Sequence, residues 1–406
     1  MYRSLYAYPW DVQDETPQAF CAIAREQIGV DTISLAVSYH AGKLLLPHNP
    51  RRKVYYPEDG ALFFRPAPDA FANSVIKPHV SALAQEEDIL DALCQTAQQS
   101  GLTVIAWTVC LHNTRLGTGY PDYTPRNAFG DPAITYLCPS HAEVRAYICA
   151  LASDLAQRYP LRAIQFEALH HMPFVHGYHH EMQQIPITPA LQVLLGLCFC
   201  PACLELAQAN NVDGARVRSA VASEINHLLL SETDAMGQAA WQQSHWQQEL
   251  DGELIRYFAL RHESVFRLWS EVYQAVHAVS SNVQVHLQDP SSIGVHELSA
   301  HDLAWLSGLE IPPRPGMADG VTLPGYIAEM ADFQREVDLY TTRVLSHTAL
   351  EVGLRPVPPD NQSEADFAAK VAYCAQRNVS GISFYNYGML PPARFRWIRE
   401  ALENIR

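Results

Sequence analysis

Residues 161–167 read Leu161-Arg162-Ala163-Ile164-Gln165-Phe166-Glu167, a short apolar run that ends in a carboxylate. A helical pattern over about residues 141–159 precedes this run, and a further apolar run, residues 102–109, lies before that helix. A strand, a helix and a second strand in this order form the unit from which parallel sheets with covering helices are built. The stretch therefore predicts a parallel sheet covered by helices.

The alternation of strands and helices recurs along the chain and counts to eight strands. We predict strands at Leu5–Pro9, Asp31–Tyr39, Leu102–Val109, Leu161–Phe166, Val283–Leu287, Ala304–Leu309, Leu345–Val352 and Gly381–Tyr385. Eight such units favour a closed (β/α)8 TIM barrel over an open sheet. No G-x-G-x-x-G motif follows the first strand, which disfavours a dinucleotide-binding fold.

The domain organisation is predicted to be a single α/β TIM barrel over residues 1–406, with long inserted loops. Residues 43–78 are rich in proline and show little periodicity, which predicts an irregular connection. We predict a helical insertion at residues 211–280, which could shape a pocket or an oligomer contact. Three aromatic residues of this insertion could reach a neighbouring rim: Trp241, Trp246 and Tyr257.

Composition limits the classes of function. Apolar residues make up 48% of the 406 and charged residues 17%, so the chain can bury a large core. The net charge of −15 argues against a nucleic-acid partner or an anionic membrane surface. No apolar stretch reaches the ~20 residues that a membrane span needs, and the first residues carry no long apolar run. We expect a soluble cytoplasmic protein, with a homo-oligomer possible because of the long helices.

Three cysteines are concentrated in Cys198-Phe199-Cys200-Pro201-Ala202-Cys203, and Cys138 lies upstream in a loop. The C-x-C-x-x-C spacing brings three thiols close enough to bind one soft cation, and a structural zinc takes about four such ligands. We predict a structural zinc site formed by these four cysteines. A disulfide between neighbouring members is the alternative.

In a TIM barrel the functional residues follow the carboxyl ends of the strands. Polar and aromatic side chains are concentrated there, and the 19 tyrosines, 7 tryptophans and 18 histidines suit a sugar, whose rings stack on aromatic faces. The substrate is therefore predicted to be a small-molecule carbohydrate. The predicted substrate-binding residues are Trp10, Tyr39, His40, His112, Asn113, His170, His171, Asp289, Arg355, Tyr385 and Asn386.

Two carboxylates are the candidate catalytic pair. Glu167 and Glu351 are predicted to end strands four and seven and to point across the mouth of the barrel. Glycoside cleavage by double displacement needs two carboxyl groups ~5–5.5 Å apart, one to protonate the leaving oxygen and one to attack the anomeric carbon. The simpler alternatives are a salt bridge of Glu351 to Arg355 and a hydrogen-bonded rim position for Glu167.

Residues 170–181 are rich in histidine, which raises the alternative of a catalytic metal. Imidazoles and a carboxylate can bind a divalent ion, but the proline and glycine of this segment do not give the regular helical spacing of a metal motif. We favour a lid or substrate-contact loop. A divalent-metal-dependent lyase, isomerase or hydrolase using His170, His171 and Glu167 is the second hypothesis, and a non-catalytic sugar-binding barrel is the third.

The strand-four glutamate, the C-x-C-x-x-C motif after it and the Cys138-Pro139 loop before it resemble the zinc-carrying β-galactosidases of glycoside hydrolase family 42. More broadly, the layout is similar to retaining barrel glycosidases with carboxylates after strands four and seven. The resemblance implies that Glu167 is the acid/base, Glu351 the nucleophile, and Cys138, Cys198, Cys200 and Cys203 the zinc ligands. One departure is Phe166, which stands where that clan usually has an asparagine before the acid/base. The leading hypothesis is a glycoside hydrolase that acts on a small or oligomeric sugar conjugate.

Overall fold

The computed structural model describes residues 1–174, 182, 184–185, 187–230, 249–289, 306–310, 313–344 and 348–405. Eight parallel strands form a closed ring in chain order, because the first strand pairs with both the second and the last. The fold is therefore a (β/α)8 TIM barrel, as the strand count predicted. The strands are β1 (Tyr2–Ala7), β2 (Thr32–Tyr39), β3 (Thr103–Val109), β4 (Ala163–Glu167), β5 (Gln284–Gln288), β6 (Gly320–Pro324), β7 (Ala349–Leu354) and β8 (Gly381–Phe384).

Helices surround this ring. They are α1 (Pro9–Glu15), α2 (Pro17–Ala22), α3 (Ala82–Glu86), α4 (Ile89–Gln99), α5 (Thr114–Gly119), α6 (Ala142–Arg158), α7 (Pro189–Leu195), α8 (Pro201–Ala209), α9 (Gly214–Leu230), α10 (Glu253–Val279), α11 (Met330–Arg343), α12 (Glu364–Gln376) and α13 (Ala393–Glu403). None of the helices in the described ranges has the length and apolar character to cross a bilayer.

The sixth strand is not where the sequence predicted it. Leu306 and Ser307 are helical, and residues 304–305 lie outside the described ranges, whereas the strand is β6 at Gly320–Pro324. The strand is hard to recognise in the sequence because it begins at Gly320 and ends at Pro324. A proline can end a strand where its missing N–H is not needed.

Other strand boundaries also shift by a few residues. The first strand ends at Ala7 and not at Pro9, because Pro9 is the first residue of α1, where its fixed φ suits a helix start. The seventh strand runs on to Leu354, two residues past the predicted end at Val352. The predicted residues 345–347 lie outside the described ranges.

The long helix α10 joins two parts of the molecule. Its second half packs on α6 and contributes Leu268, Trp269 and Val272 to the main apolar core around the barrel. Its first turns contribute Tyr257 and Phe258 to a second apolar cluster with α7, α8 and α9, which we call the satellite core. The predicted insertion at 211–280 therefore includes the barrel's own helix between β4 and β5. Trp241 and Trp246 lie outside the described residues.

Candidate active site and cysteine cluster

Glu167 is the last residue of β4 and lies at the carboxyl-end mouth of the barrel, partly accessible. Its neighbour in the sheet is Val109, the last residue of β3, and Trp107 is two residues earlier on the same face. The indole Nε1 of Trp107 donates a hydrogen bond of 2.5 Å to Glu167 Oε2. Burial raises the pKa of Glu167 to about 7, although the hydrogen bond from Trp107 acts to lower it. The carboxyl group is therefore partly protonated near neutral pH.

Tyrosines surround this carboxyl group. The hydroxyl of Tyr8 lies 3.0 Å from the hydroxyls of both Tyr39 and Tyr385. Tyr6 packs edge-on against Trp107 with ring centroids 5.0 Å apart. Burial, together with neighbouring charges that include Glu167, raises the pKa of each of Tyr6, Tyr39 and Tyr385. These rings stay neutral, so they offer hydroxyl hydrogen bonds and apolar faces around one acidic group.

On the β6–β7 side, an arginine completes the mouth. Arg355 directly follows β7, and its guanidinium lies 4.3 Å from the ring centroid of Tyr326, which follows β6. Asp360 binds that guanidinium at both oxygens, at 2.5 Å and 2.8 Å. The predicted place of Arg355 at the rim is thus observed, but its partner is Asp360 and not Glu351.

Glu351 lies inside the barrel and not at its mouth. It is the third residue of β7 and is 1% exposed, and three more strand residues, about 10 Å of chain, separate it from the end of the strand. Its oxygens accept hydrogen bonds from Tyr2 Oη at 2.7 Å, Ser383 Oγ at 2.9 Å and Gln165 Nε2 at 3.2 Å. The prediction that Glu351 ends strand seven is wrong, and its position does not suit a nucleophile.

Several predicted substrate-binding residues have structural roles instead. Trp10 is fully buried in α1 and stacks on Tyr8 at 4.5 Å. Asn113 caps α5 by accepting from Leu116 N–H and donates to the Gly60 carbonyl, so both ends of its amide are used. Both residues are buried and make these contacts within the protein.

The two rim histidines after β2 and β3 form a stack. His40 lies 4.3 Å from Tyr39 and 4.4 Å from His112, measured between ring centroids. His40 is partly accessible, and its Nδ1 lies 2.7 Å from the Ala41 carbonyl. The stack forms the β2–β3 side of the mouth.

The other predicted binding residues are buried. Tyr340 donates a short hydrogen bond to Asp289, so that carboxylate is held beneath α11. Asn386 is 1% exposed and its amide oxygen accepts from Gly388 N–H. His170 Nδ1 lies 2.9 Å from the His171 carbonyl, and His171 Nε2 lies 2.8 Å from Ser264 Oγ of α10. Each of these four side chains is buried and has a contact within the protein.

Among the residues that the structure describes, His170, His171 and Glu167 do not form a metal-binding cluster. The group in that part of the chain whose ligand atoms are close enough to bind one ion is the four cysteines. The later part of the histidine-rich segment, residues 175–181, lies outside those residues. The geometry therefore gives no support to the divalent-metal alternative.

The four predicted cysteines do meet. The sulfur of Cys138 lies 3.6 Å from Cys203 Sγ, 3.8 Å from Cys198 Sγ and 3.7 Å from Cys200 Sγ, and all four thiols are buried. Four sulfurs at ~2.3 Å from one tetrahedral zinc would be about 3.8 Å apart. The observed spacing fits that geometry, and the distances exclude a disulfide in this arrangement.

Hydrogen bonds link the sulfurs to one another and to the backbone. The Cys200 N–H points at Cys198 Sγ at 3.4 Å. Hydrogen bonds from the neighbouring thiols, led by Cys138, lower the pKa of Cys200, whereas burial raises the pKa of Cys138. Cys138 follows β3 in the chain and the other three cysteines follow β4, so a bound ion would join two connections next to the mouth.

The main residues that sequence reasoning missed are Trp107, Tyr6 and Tyr326. Trp107 and Tyr6 lie inside strands β3 and β1, while only the residues after the strands were considered. The sequence did contain a signal for Trp107. Trp107 and Val109 are two residues apart and therefore lie on the same face of β3, where they pair with Gln165 and Glu167 of β4. Tyr326 was missed together with β6.

Comparison with known proteins gives structural matches only. No family model and no curated protein sequence matches the chain. α-L-Fucosidase isoenzyme 2 from Paenibacillus thiaminolyticus is 11% identical with a TM-score of 0.58, covering 100% of this chain and 49% of that one. The PgaB (BpsB) glycoside hydrolase domain from Bordetella bronchiseptica is 13% identical with a TM-score of 0.57, covering 100% and 98%. The β-galactosidase from the psychrophilic Marinomonas ef1 is 10% identical with a TM-score of 0.54, covering 100% and 59%.

These similarities define the class of fold. The chain is a TIM barrel whose structural neighbours are glycoside hydrolases. It spans about half of the fucosidase and 59% of the β-galactosidase, but 98% of the PgaB domain. At 10–13% identity the likeness concerns the fold alone.

Proposed function

We propose that this protein is a glycoside hydrolase in which Glu167 is the proton donor. The observation that carries the proposal is the partly accessible Glu167 carboxyl at the barrel mouth, whose pKa is raised to about 7. A general acid works best when its pKa lies near the working pH. Aromatic side chains around it suit a sugar, whose C–H faces stack on rings while its hydroxyls take hydrogen bonds.

The proton transfer follows from this geometry. Trp107 fixes Oε2 of Glu167 by its N–H bond, which leaves Oε1 to carry a proton towards the glycosidic oxygen. As the bond between that oxygen and the anomeric carbon breaks, its electron pair stays on the oxygen, which takes the proton from Glu167. The anomeric carbon then bonds an oxygen from water, and the proton that this water loses returns to Glu167 or to the solvent.

A second carboxylate is not assigned. Glu351 is enclosed by three hydrogen-bond donors inside the barrel, and Asp360 is occupied at both oxygens by Arg355. This chain's described residues therefore support the proton-donor half of the reaction. The double-displacement pair of Glu167 and Glu351 is not part of the proposal.

We also propose that Cys138, Cys198, Cys200 and Cys203 bind a structural zinc ion, which would crosslink the connections after β3 and β4. The four sulfurs fit a tetrahedral site and leave no position open for substrate. This feature resembles the zinc-carrying β-galactosidases of glycoside hydrolase family 42, and the β-galactosidase from Marinomonas has the same fold. Aryl β-galactosides and aryl α-L-fucosides are accordingly the first substrates to test.

The experiment compares Glu167→Gln with wild type on two aryl glycosides of the same sugar. A leaving group that departs without a proton should be cleaved by E167Q nearly as fast as by wild type. A poor leaving group needs the acid and should slow by about 10²–10⁴-fold. Glu26→Gln, which changes an exposed glutamate on the outer helices, is the matched control.

Equal slowing of both substrates would contradict the proton-donor role. Sugar binding without any product in the wild type would favour the non-catalytic sugar-binding barrel instead.

A further inference from the structure

Arg261 is a buried arginine without a carboxylate partner among the described residues. It is 8% exposed on α10, and its guanidinium donates to the Leu306 and Gly196 carbonyls while Nε has no acceptor. An ionised guanidinium that is taken out of water costs several kcal/mol unless a negative charge lies near it. The source of that negative charge needs an explanation.

The groups around Arg261 identify the source. Arg261 lines one small cavity with Cys198, Cys203, Tyr257 and His171. Tyr257 donates its hydroxyl proton to the Cys198 carbonyl at 2.7 Å, so it is a neutral phenol. Burial lowers the pKa of His171, so it is neutral too. The sulfurs are the remaining acidic groups on this cavity.

We infer that Arg261 is the counter-charge of a metal–tetrathiolate centre and a positioning residue for the cysteine motif beside it. This inference rests on the proposed zinc site. Four thiolates and one Zn²⁺ carry a net charge of −2, since +2 and −4 sum to −2. The guanidinium neutralises part of that charge and so stabilises the ion within its four sulfur ligands.

The same side chain connects the centre to other segments. One nitrogen donates to Leu306, next to Ser307, whose carbonyl accepts from His171 N–H, and another donates to Gly196 just before the C-x-C-x-x-C motif. The Arg261 guanidinium thus fixes three segments to α10: the segment after β4, the C-x-C-x-x-C motif and residues 306–310. Polar groups in the second shell of a metal site have this orienting effect.

The test measures how fast zinc leaves the full-length protein, with a chromogenic chelator at pH 7. Arg261→Gln should release zinc about 10–100-fold faster than wild type, which is the usual effect of removing a second-shell partner. Arg261→Lys keeps the charge but loses one carbonyl contact, so it should stay within a few-fold of wild type. Arg218→Gln is the matched control, because Arg218 also donates to a backbone carbonyl, at Ala128, but faces no thiol.

The outcomes separate the two proposals. If the wild type binds zinc and R261Q releases it at the same rate as R218Q, the role of Arg261 is overturned but the zinc site is not. Wild type that binds no zinc would overturn the metal site itself. If R261Q folds poorly, Arg261→Met keeps the length and apolar stem and serves the same comparison. Equal loss in R261K and R261Q would show a role in hydrogen bonding only.

Discussion

At the residue scale, one indole sets the chemistry of Glu167. The Trp107 N–H bond favours the ionised carboxylate, while burial favours the neutral acid, and burial prevails. The pKa of about 7 is thus a balance of two opposed effects. Changing one of them should move the balance in a known direction.

The pH dependence of activity follows from this balance. The protonated form of Glu167 is the active acid, so kcat/KM should fall about tenfold per pH unit above pH ~7. In Trp107→Phe the carboxylate loses its donor, its pKa rises further, and the falling limb should move to higher pH. Stopped assays from pH 5 to 9 measure both profiles.

Trp397→Phe on α13, outside the barrel, controls for the loss of any indole. An unmoved limb in W107F, or a limb at lower pH, would show that Trp107 does not act on the titrating group.

At the element scale, the cysteine cluster connects the barrel, which packs around the main apolar core, with helices that pack in the satellite core. Cys138 belongs to the connection after β3, whereas Cys203 lies on α8, which packs in the satellite core with α7 and α9. The satellite core has few contacts with the strands, and the four sulfurs add a connection to it. A bound metal would therefore stabilise this group of helices more than the barrel.

Removal of the metal should therefore destabilise the helices of the satellite core before the barrel. Cys200→Ser, or wild type treated with a strong chelator, should lose hydrogen-exchange protection first in α7–α9 while the barrel strands stay protected. The free energy of opening these helices should fall by several kcal/mol, because metal binding energy contributes to folding. Exchange measured by mass spectrometry resolves the two regions.

Cys149→Ser changes a cysteine on α6 that is not part of the cluster and should leave both regions unchanged. Simultaneous loss of protection in helices and strands would mean that the satellite core is not a separate unit.

At the scale of the whole molecule, Glu351 holds the barrel together from inside. Its carboxylate receives donors from Tyr2 of β1, Gln165 of β4 and Ser383 of β8, so four strands of the ring meet at one group. Gln165 also donates to Thr322 Oγ1 of β6 at 2.7 Å. A buried polar network of this kind is stable only while every donor has its acceptor.

Substitution of Glu351 should therefore affect folding more than chemistry. Glu351→Ala removes the shared acceptor of three buried donors and should lower the free energy of unfolding by about 3–5 kcal/mol, as for other broken buried networks. Glu351→Gln keeps the shape and should cost about 1 kcal/mol. Urea unfolding measures both values.

A nucleophile would behave differently. The folded E351Q protein should keep most of its kcat, and azide should not restore activity to Glu351→Gly. Rescue by azide would return Glu351 to the catalytic pair and contradict its structural role.

The sequence alone determined the class of fold, the four-cysteine site and the place of Glu167, because these depend on local patterns: strand and helix periodicity, thiol spacing and a carboxylate at a strand end. Only the tertiary structure decided three features. They are the position of Glu351 along the barrel axis, the place of Arg261 beside the thiols and the place of the Trp107 indole beside Glu167. The physical reason is register. A strand that runs two residues further places its glutamate inside the barrel instead of at the rim, and the pairing of Trp107 with Glu167 depends on the alignment of β3 with β4. Such alignments are fixed by packing over the whole ring, which no single stretch of the chain contains.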